Sequence, residues 1–154
     1  MKGHAQRAHA AGEIPAVAPA TSGALRLRVR YVECDPMGVA HHAAYVPWLE
    51  AARTELLRTS GVSYAQLEAL GVFLVVVKLD VRYRRPVLYD DIVEVRTRVR
   101  GAGRVKIEHE YDLAVVERAG APLDEVVAAA FTTLACVDRE GRVAEVPAWL
   151  RGGA

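Results

Sequence analysis

From Leu25 the chain alternates, with Leu25, Leu27, Val29 and Tyr31 apolar and Arg26, Arg28 and Arg30 between them, the period-two pattern of a strand with one buried face. The period then changes. Tyr45, Trp48, Leu49, Ala52 and Leu56 recur at spacings of three and four, which predicts a helix with one apolar stripe, and Gly61 is placed to stop it. Ser63 to Leu70 predicts a short second helix, capped by Ser63 and ended by Gly71. Phe73 to Val77 is an unbroken apolar run that continues through Leu79, Val81 and Tyr83. It predicts a strand covered on both faces near its start and closed by Arg84-Arg85-Pro86.

Strict alternation returns in two further segments. Val93, Val95, Thr97 and Val99 face one way and Glu94, Arg96, Arg98 and Arg100 the other, and Val105, Ile107, His109, Tyr111, Leu113 and Val115 repeat the pattern. With odd positions inward on both strands, the hairpin loop needs an odd number of residues. Gly101-Ala102-Gly103 meets that need, and one such register sets Arg98 and Arg96 opposite Glu108 and Glu110. A last strand, about Asp124 to Asp138, precedes a turn at Arg139-Glu140-Gly141. The order strand, long helix, four strands predicts an α+β protein with one five-stranded antiparallel sheet packed on the long helix. One helix covers only one face of such a sheet, and the charged positions allow the other face to stay wet.

Residues 1–24, rich in Ala and interrupted by Pro15 and Pro19, show no sustained period and are expected to form a mobile or loosely packed tail. Residues 25–150 form the folded domain, a length that suits one hydrophobic core. Twenty Lys and Arg against nineteen Asp and Glu leave no overall field to recruit nucleic acid or an anionic membrane. No apolar run reaches the length of a membrane span, and Glu13 and the two prolines break up the N-terminal stretch, so export is not expected. Cys34 and Cys136 make neither a zinc spacing nor a disulfide framework, which fits a reduced, cytoplasmic setting.

Candidate chemistry concentrates between Tyr31 and Tyr45. Asp35 precedes Pro36 and Gly38, and His41, His42 and Tyr45 follow at the start of the long helix. A helix start offers unpaired backbone N–H groups and the positive end of a dipole, which can polarise a carbonyl oxygen. A nearby carboxylate can attack that carbonyl or activate water against it. Asp35, Gly38, His41, His42 and Tyr45, followed by Glu50-Ala-Ala-Arg53 on the helix, resemble the signature of the 4-hydroxybenzoyl-CoA thioesterase-like group of hot-dog-fold acyl-CoA thioesterases.

The resemblance implies a sheet wrapped around a central helix, a homodimer or dimer of dimers with sites between subunits, and hydrolysis of an acyl-CoA to free acid and CoA. It implies Asp35 as nucleophile or general base, the two remaining open, and the His42 backbone N–H as the donor to the thioester oxygen. The His42 imidazole is a candidate to orient Asp35 or the substrate, and Gly38 to let the loop approach it. His41 is a candidate pocket lining, and Tyr45 a candidate core residue or acyl-pocket wall. Relatives of this group lead one to expect no proline at position 47; its presence suits a helix that begins near Ala44 or Tyr45 and disfavours one that begins near His42.

The phosphates of CoA need cations, for which Arg84, Arg85, Arg104 and Lys106 are the candidates. No metal-ligand cluster, phosphate loop or dinucleotide fingerprint occurs, so no metal or bound cofactor is expected. Cys34 has no evident base beside it and is set aside as a nucleophile. A hot-dog dehydratase and a non-catalytic acyl-CoA-binding module are the alternative readings. The acyl group itself is not legible.

Overall fold

The computed structural model describes residues 18–151. Strands β1 (Ser22–Arg28), β2 (Phe73–Tyr83), β3 (Ile92–Ala102), β4 (Lys106–Arg118) and β5 (Ala121–Val137) form one antiparallel sheet in the order β1-β3-β4-β5-β2. The long helix α1 (Tyr45–Thr59) lies against one face of it, with α2 (Tyr64–Ala69) and α3 (Ala148–Arg151) beyond its C-terminal end. One sheet curved around one central helix is the hot-dog fold.

The expected stripe of α1 is the buried one: Tyr45, Trp48, Leu49, Ala52 and Leu56 are all buried. The first four pack against Val93, Val95, Leu113 and Val115 of β3 and β4 and Val127 of β5. The opposite face of the sheet is a ladder of charges in which Arg26 meets Glu94 at 2.8 Å and Arg98 meets Glu110 at 2.9 Å and Asp112 at 3.2 Å. Such exposed pairs add little stability, but they keep this face wet. Ser63 caps α2 as expected, its hydroxyl accepting from Gln66 N while Gln66 Oε1 accepts from Ser63 N. That is a capping box.

Four details depart from the expectation. Alternation along β1 stops at Val29, whose N–H donates to Asp91 O at 2.9 Å, and the chain turns into a short 3₁₀ turn over Tyr31–Glu33. Tyr31 is therefore exposed. The hairpin between β3 and β4 keeps a three-residue tip, Gly103 to Val105, but β3 runs on to Ala102 through a bulge at Arg100. Arg98 consequently faces Glu110, and Arg96 faces Asp112.

The third departure is β2. It pairs only with β5, and Val75, Val76, Val77 and Leu79 are 41%, 46%, 54% and 41% exposed. An apolar run reads the same whether the chain or another copy covers it. The last is the chain's beginning: β1 starts at Ser22, inside the segment read as a tail, and Ala20 N donates to the Ser60 hydroxyl at 2.8 Å. Residues 1–17 of that segment lie outside the described residues.

Candidate active site

The segment from Glu33 to His41 is a miniature hairpin. His41 N donates to Glu33 O at 2.7 Å, Asp35 N to Val39 O at 2.9 Å, and Cys34 bridges Ala40. Its turn closes through Gly38 N to Asp35 O, with Gly38 at φ +79°. A Cβ there would meet open space. The requirement for glycine is thus the left-handed backbone, not room. Within the turn, Asp35 Oδ1 accepts from Met37 N at 2.9 Å and more weakly from Val39 N at 3.4 Å. Among the described residues Oδ2 accepts no hydrogen bond, so the turn orients the carboxylate and leaves one oxygen available.

Two supports hold this hairpin, and neither was legible as a motif. The first is the segment after β2. Ala40 N donates to Val87 O at 2.7 Å and Tyr89 N to Gly38 O at 3.1 Å. That segment is in turn fixed by Asp91, 1% exposed, which accepts from Leu88 N and, through both oxygens, from Arg118 at 2.9 and 2.7 Å. The second is Glu33, which accepts from Arg30 N at 2.8 Å and from Trp48 Nε1 at 3.1 Å, tying the loop to α1. Burial alone would push the Glu33 carboxyl up. The donors from Arg30 and Trp48 outweigh it and hold the group below the usual carboxylate range.

The helix start resolves the question of Pro47. A 3₁₀ turn over His42–Ala44 precedes α1, so Pro47 sits in the first turn of the α-helix proper, where its missing N–H costs little. His41 caps the turn: its Nδ1 accepts from Ala43 N at 3.1 Å and its carbonyl from Ala44 N at 2.9 Å. Among the described residues the His42 N–H meets no acceptor. The His42 carbonyl accepts from the Tyr83 hydroxyl at 2.7 Å, and the Tyr83 ring stands edge-on to Tyr45 at 4.9 Å.

Tyr45 is 3% exposed and belongs to the core. Burial first, and then Tyr83, push its hydroxyl up to about 12. The His42 imidazole is exposed beside the His41 ring, 3.9 Å between centroids, and makes no hydrogen bond to Asp35. Cys34 is no candidate nucleophile, since burial and then the charges of Glu33, Asp35 and Asp91 push its thiol up, away from the reactive thiolate. Among the described residues no three of His, Cys, Asp and Glu gather where they could share a metal ion.

The four basic candidates separate into two pairs. Arg84 and Arg85 donate their backbone N–H groups to Val127 O just before the segment that supports Gly38, and both side chains are exposed. Arg84 also borders a groove of about 590 Å³ on the outer sheet face, where Lys78, Arg82 and Phe131, which the sequence did not single out, share the wall with Asp80, Glu108 and Glu110. Arg104 and Lys106 lie elsewhere. Tyr83 is opposite Ala128 and Lys106 opposite Ala135, so seven residues of β5, about 23 Å, divide the two pairs within one chain. Arg104 is moreover engaged by Glu145 at 2.7 Å.

With this geometry described, the similarities fall into place. Residues 29–153 match the model of the thioesterase-like superfamily, and the chain belongs to that superfamily. The hypothetical protein TT1821 from Thermus thermophilus is 37% identical and superposes with a TM-score of 0.73 over 83% of this chain and 93% of that one. The DHNA-CoA thioesterase from Staphylococcus aureus is 28% identical, with a TM-score of 0.73 over 80% of each chain. The acyl-CoA thioester hydrolase YbgC of Escherichia coli is 42% identical over 73 residues, which span 47% of this chain and 54% of that protein. No helix among the described residues is long and apolar enough to cross a membrane.

Proposed function

We propose that the protein hydrolyses an acyl-CoA thioester, with Asp35 as the attacking or water-activating carboxylate and the His42 backbone N–H as donor to the thioester oxygen. The observation that carries this reading is the pairing of two unspent groups on one continuous stretch of backbone. Asp35 is oriented through Oδ1 while Oδ2 accepts nothing, and the first N–H of the helical turn has no acceptor among the described residues. A helix-start N–H aimed at developing negative charge contributes on the scale of an oxyanion-hole donor, about 3–4 kcal/mol of transition-state stabilisation. CoA thioesters as substrates find support in the activities named for YbgC and the staphylococcal enzyme.

Arg84 and Arg85, exposed and without an acidic partner among the described residues, are suited to the phosphates of CoA. A second copy of the chain suits the β2 edge, whose exposed valines and unpaired backbone form a long apolar border. Equilibrium sedimentation checks this, a monomer with full activity being the contrary result. The main test follows thiol release from short, long and aromatic acyl-CoAs. Turnover of at least one class is expected, and release from none removes the proposal. A single turnover in oxygen-18 water then tests the nucleophilic role of Asp35: label first in Asp35 marks a mixed anhydride opened at the aspartyl carbonyl, whereas label in the released acid marks attack of water at the acyl carbon.

A further inference from the structure

A second site candidate lies at the other end of α1. A cavity of about 240 Å³ opens between the C-terminal half of α1, α2, the tip of the β3–β4 hairpin and α3, with Pro19–Thr21 at its rim. By the α-helical rise, Arg53 is about 12 Å further along α1 than Tyr45, and the 3₁₀ turn at His42–Ala44 adds to that separation. The cavity is therefore not part of the Asp35 site, and no residue of the Asp35 turn lines it.

Its chemistry is one-sided. Leu56, Leu74, Ile107 and Leu150 supply apolar wall, Arg53 and Arg151 supply positive charge, and none of the described lining residues is Asp or Glu. Two polar atoms on this wall are buried without a hydrogen-bond partner among the described residues: His109 Nδ1 and Arg151 Nε. His109 is 6% exposed. The Arg53 side chain is 10% exposed, and its ion-pair partner among the described residues is Glu50, 3.7 Å away and itself mostly in water. The neutral Tyr64 and Tyr111 hydroxyls also neighbour the Arg53 guanidinium, and Glu145 stands 3.9 Å from Arg151. Buried polar groups are nearly always satisfied, and Arg53, whose one counter-charge lies mostly in water, together with the unpaired His109 Nδ1 and Arg151 Nε, leaves room for an acceptor.

We propose that this cavity binds a small organic carboxylate, its head group accepting from Arg53, Arg151 and His109 and its apolar body lying against Leu56, Leu74 and Ile107. The planar guanidinium groups suit the two oxygens of a carboxylate. The volume equals that of about eight waters, which limits the body to a short chain or one ring. The apolar walls distinguish such an acid from inorganic phosphate. Free carboxylic acids are also the class of product that thioester hydrolysis releases.

Calorimetric titration of the full chain with octanoate tests this. Saturable binding of one octanoate per chain is expected, with octanamide and inorganic phosphate each at least about tenfold weaker. Arg53→Gln and Arg151→Gln should each weaken octanoate at least about tenfold, and Asp35→Asn should leave it unchanged. Arg151, near the chain end and less buried, gives the informative variant if Arg53→Gln fails to fold. Absence of octanoate binding, equal binding of octanamide, or retention of affinity in both arginine variants overturns the proposal. Loss of binding in Asp35→Asn overturns it as well, because the acid would then sit at the Asp35 turn.

Discussion

The two ends of α1 treat polar groups in opposite ways. At the N-terminal end, the Asp35 turn is exposed yet highly organised: among the described residues every non-proline backbone N–H from Glu33 to Ala44 except that of His42 has a named acceptor, and the Asp35 carboxylate keeps one oxygen unengaged. At the C-terminal end the unpaired polar atoms are buried: His109 Nδ1, Trp149 Nε1 and Arg151 Nε have no hydrogen-bond partner among the described residues. An unpaired group in water costs little, because water satisfies it until a substrate arrives. An unpaired group in the interior costs free energy at all times. This difference is what the two proposals rest on: transient charge at the first end and a resident anion at the second.

The sharpest way to break this contrast is Asp35→Asn, which keeps the side chain's shape and removes its charge. Turnover should fall by about 10²–10⁴-fold, the range for a general base, with the melting temperature unchanged. Near-normal turnover would show that the organised end is only a well-made turn. Next in size is Asp91→Ala, which strands Arg118 and releases the segment beneath Gly38. A loss of about 3 kcal/mol in urea unfolding is expected, with a fall in activity that follows from the loosened loop. An unchanged unfolding midpoint would mean that the backbone bonds alone hold the hairpin.

At the buried end, burial and then the Arg53 charge push the His109 imidazole down to about 4 from an ordinary 6.5. The unfolded chain takes up that proton at a higher pH than the folded one. The stability contributed by neutral His109 is therefore complete above about pH 6.5 and is lost as the pH falls towards 4, by at most about 3 kcal/mol. Unfolding measured between pH 7.5 and 4 should show this slope in wild type and a flatter one in His109→Gln; identical slopes would place His109 in water. The smallest effect belongs to Arg84→Gln and Arg85→Gln, exposed positions that should raise KM a few-fold and leave kcat alone. A fall in kcat instead would move these arginines into the chemistry.

The residues that report a single local rule were readable in the chain. The buried stripe of α1, the Ser63 cap, the inward odd positions of β3 and β4, and the Asp35-to-Tyr45 constellation each depend on neighbours a few positions away, where period and spacing carry the information. Pro47 was readable as a choice between two helix starts, and the 3₁₀ turn at His42 made the choice. What remained belongs to contacts between distant segments: Asp91 with Arg118, Glu33 with Trp48, Tyr83 with the His42 carbonyl, and the opposite ends to which the two pairs of basic residues go. The exposed face of β2 is of the same kind, since an apolar run states that it must be covered without stating by what. Sequence by itself determined which residues are apolar, where the period changes and which side chains surround the helix start. Only tertiary structure decided which polar groups meet and which stay unpaired, because hydrogen-bond satisfaction is a property of the packed chain.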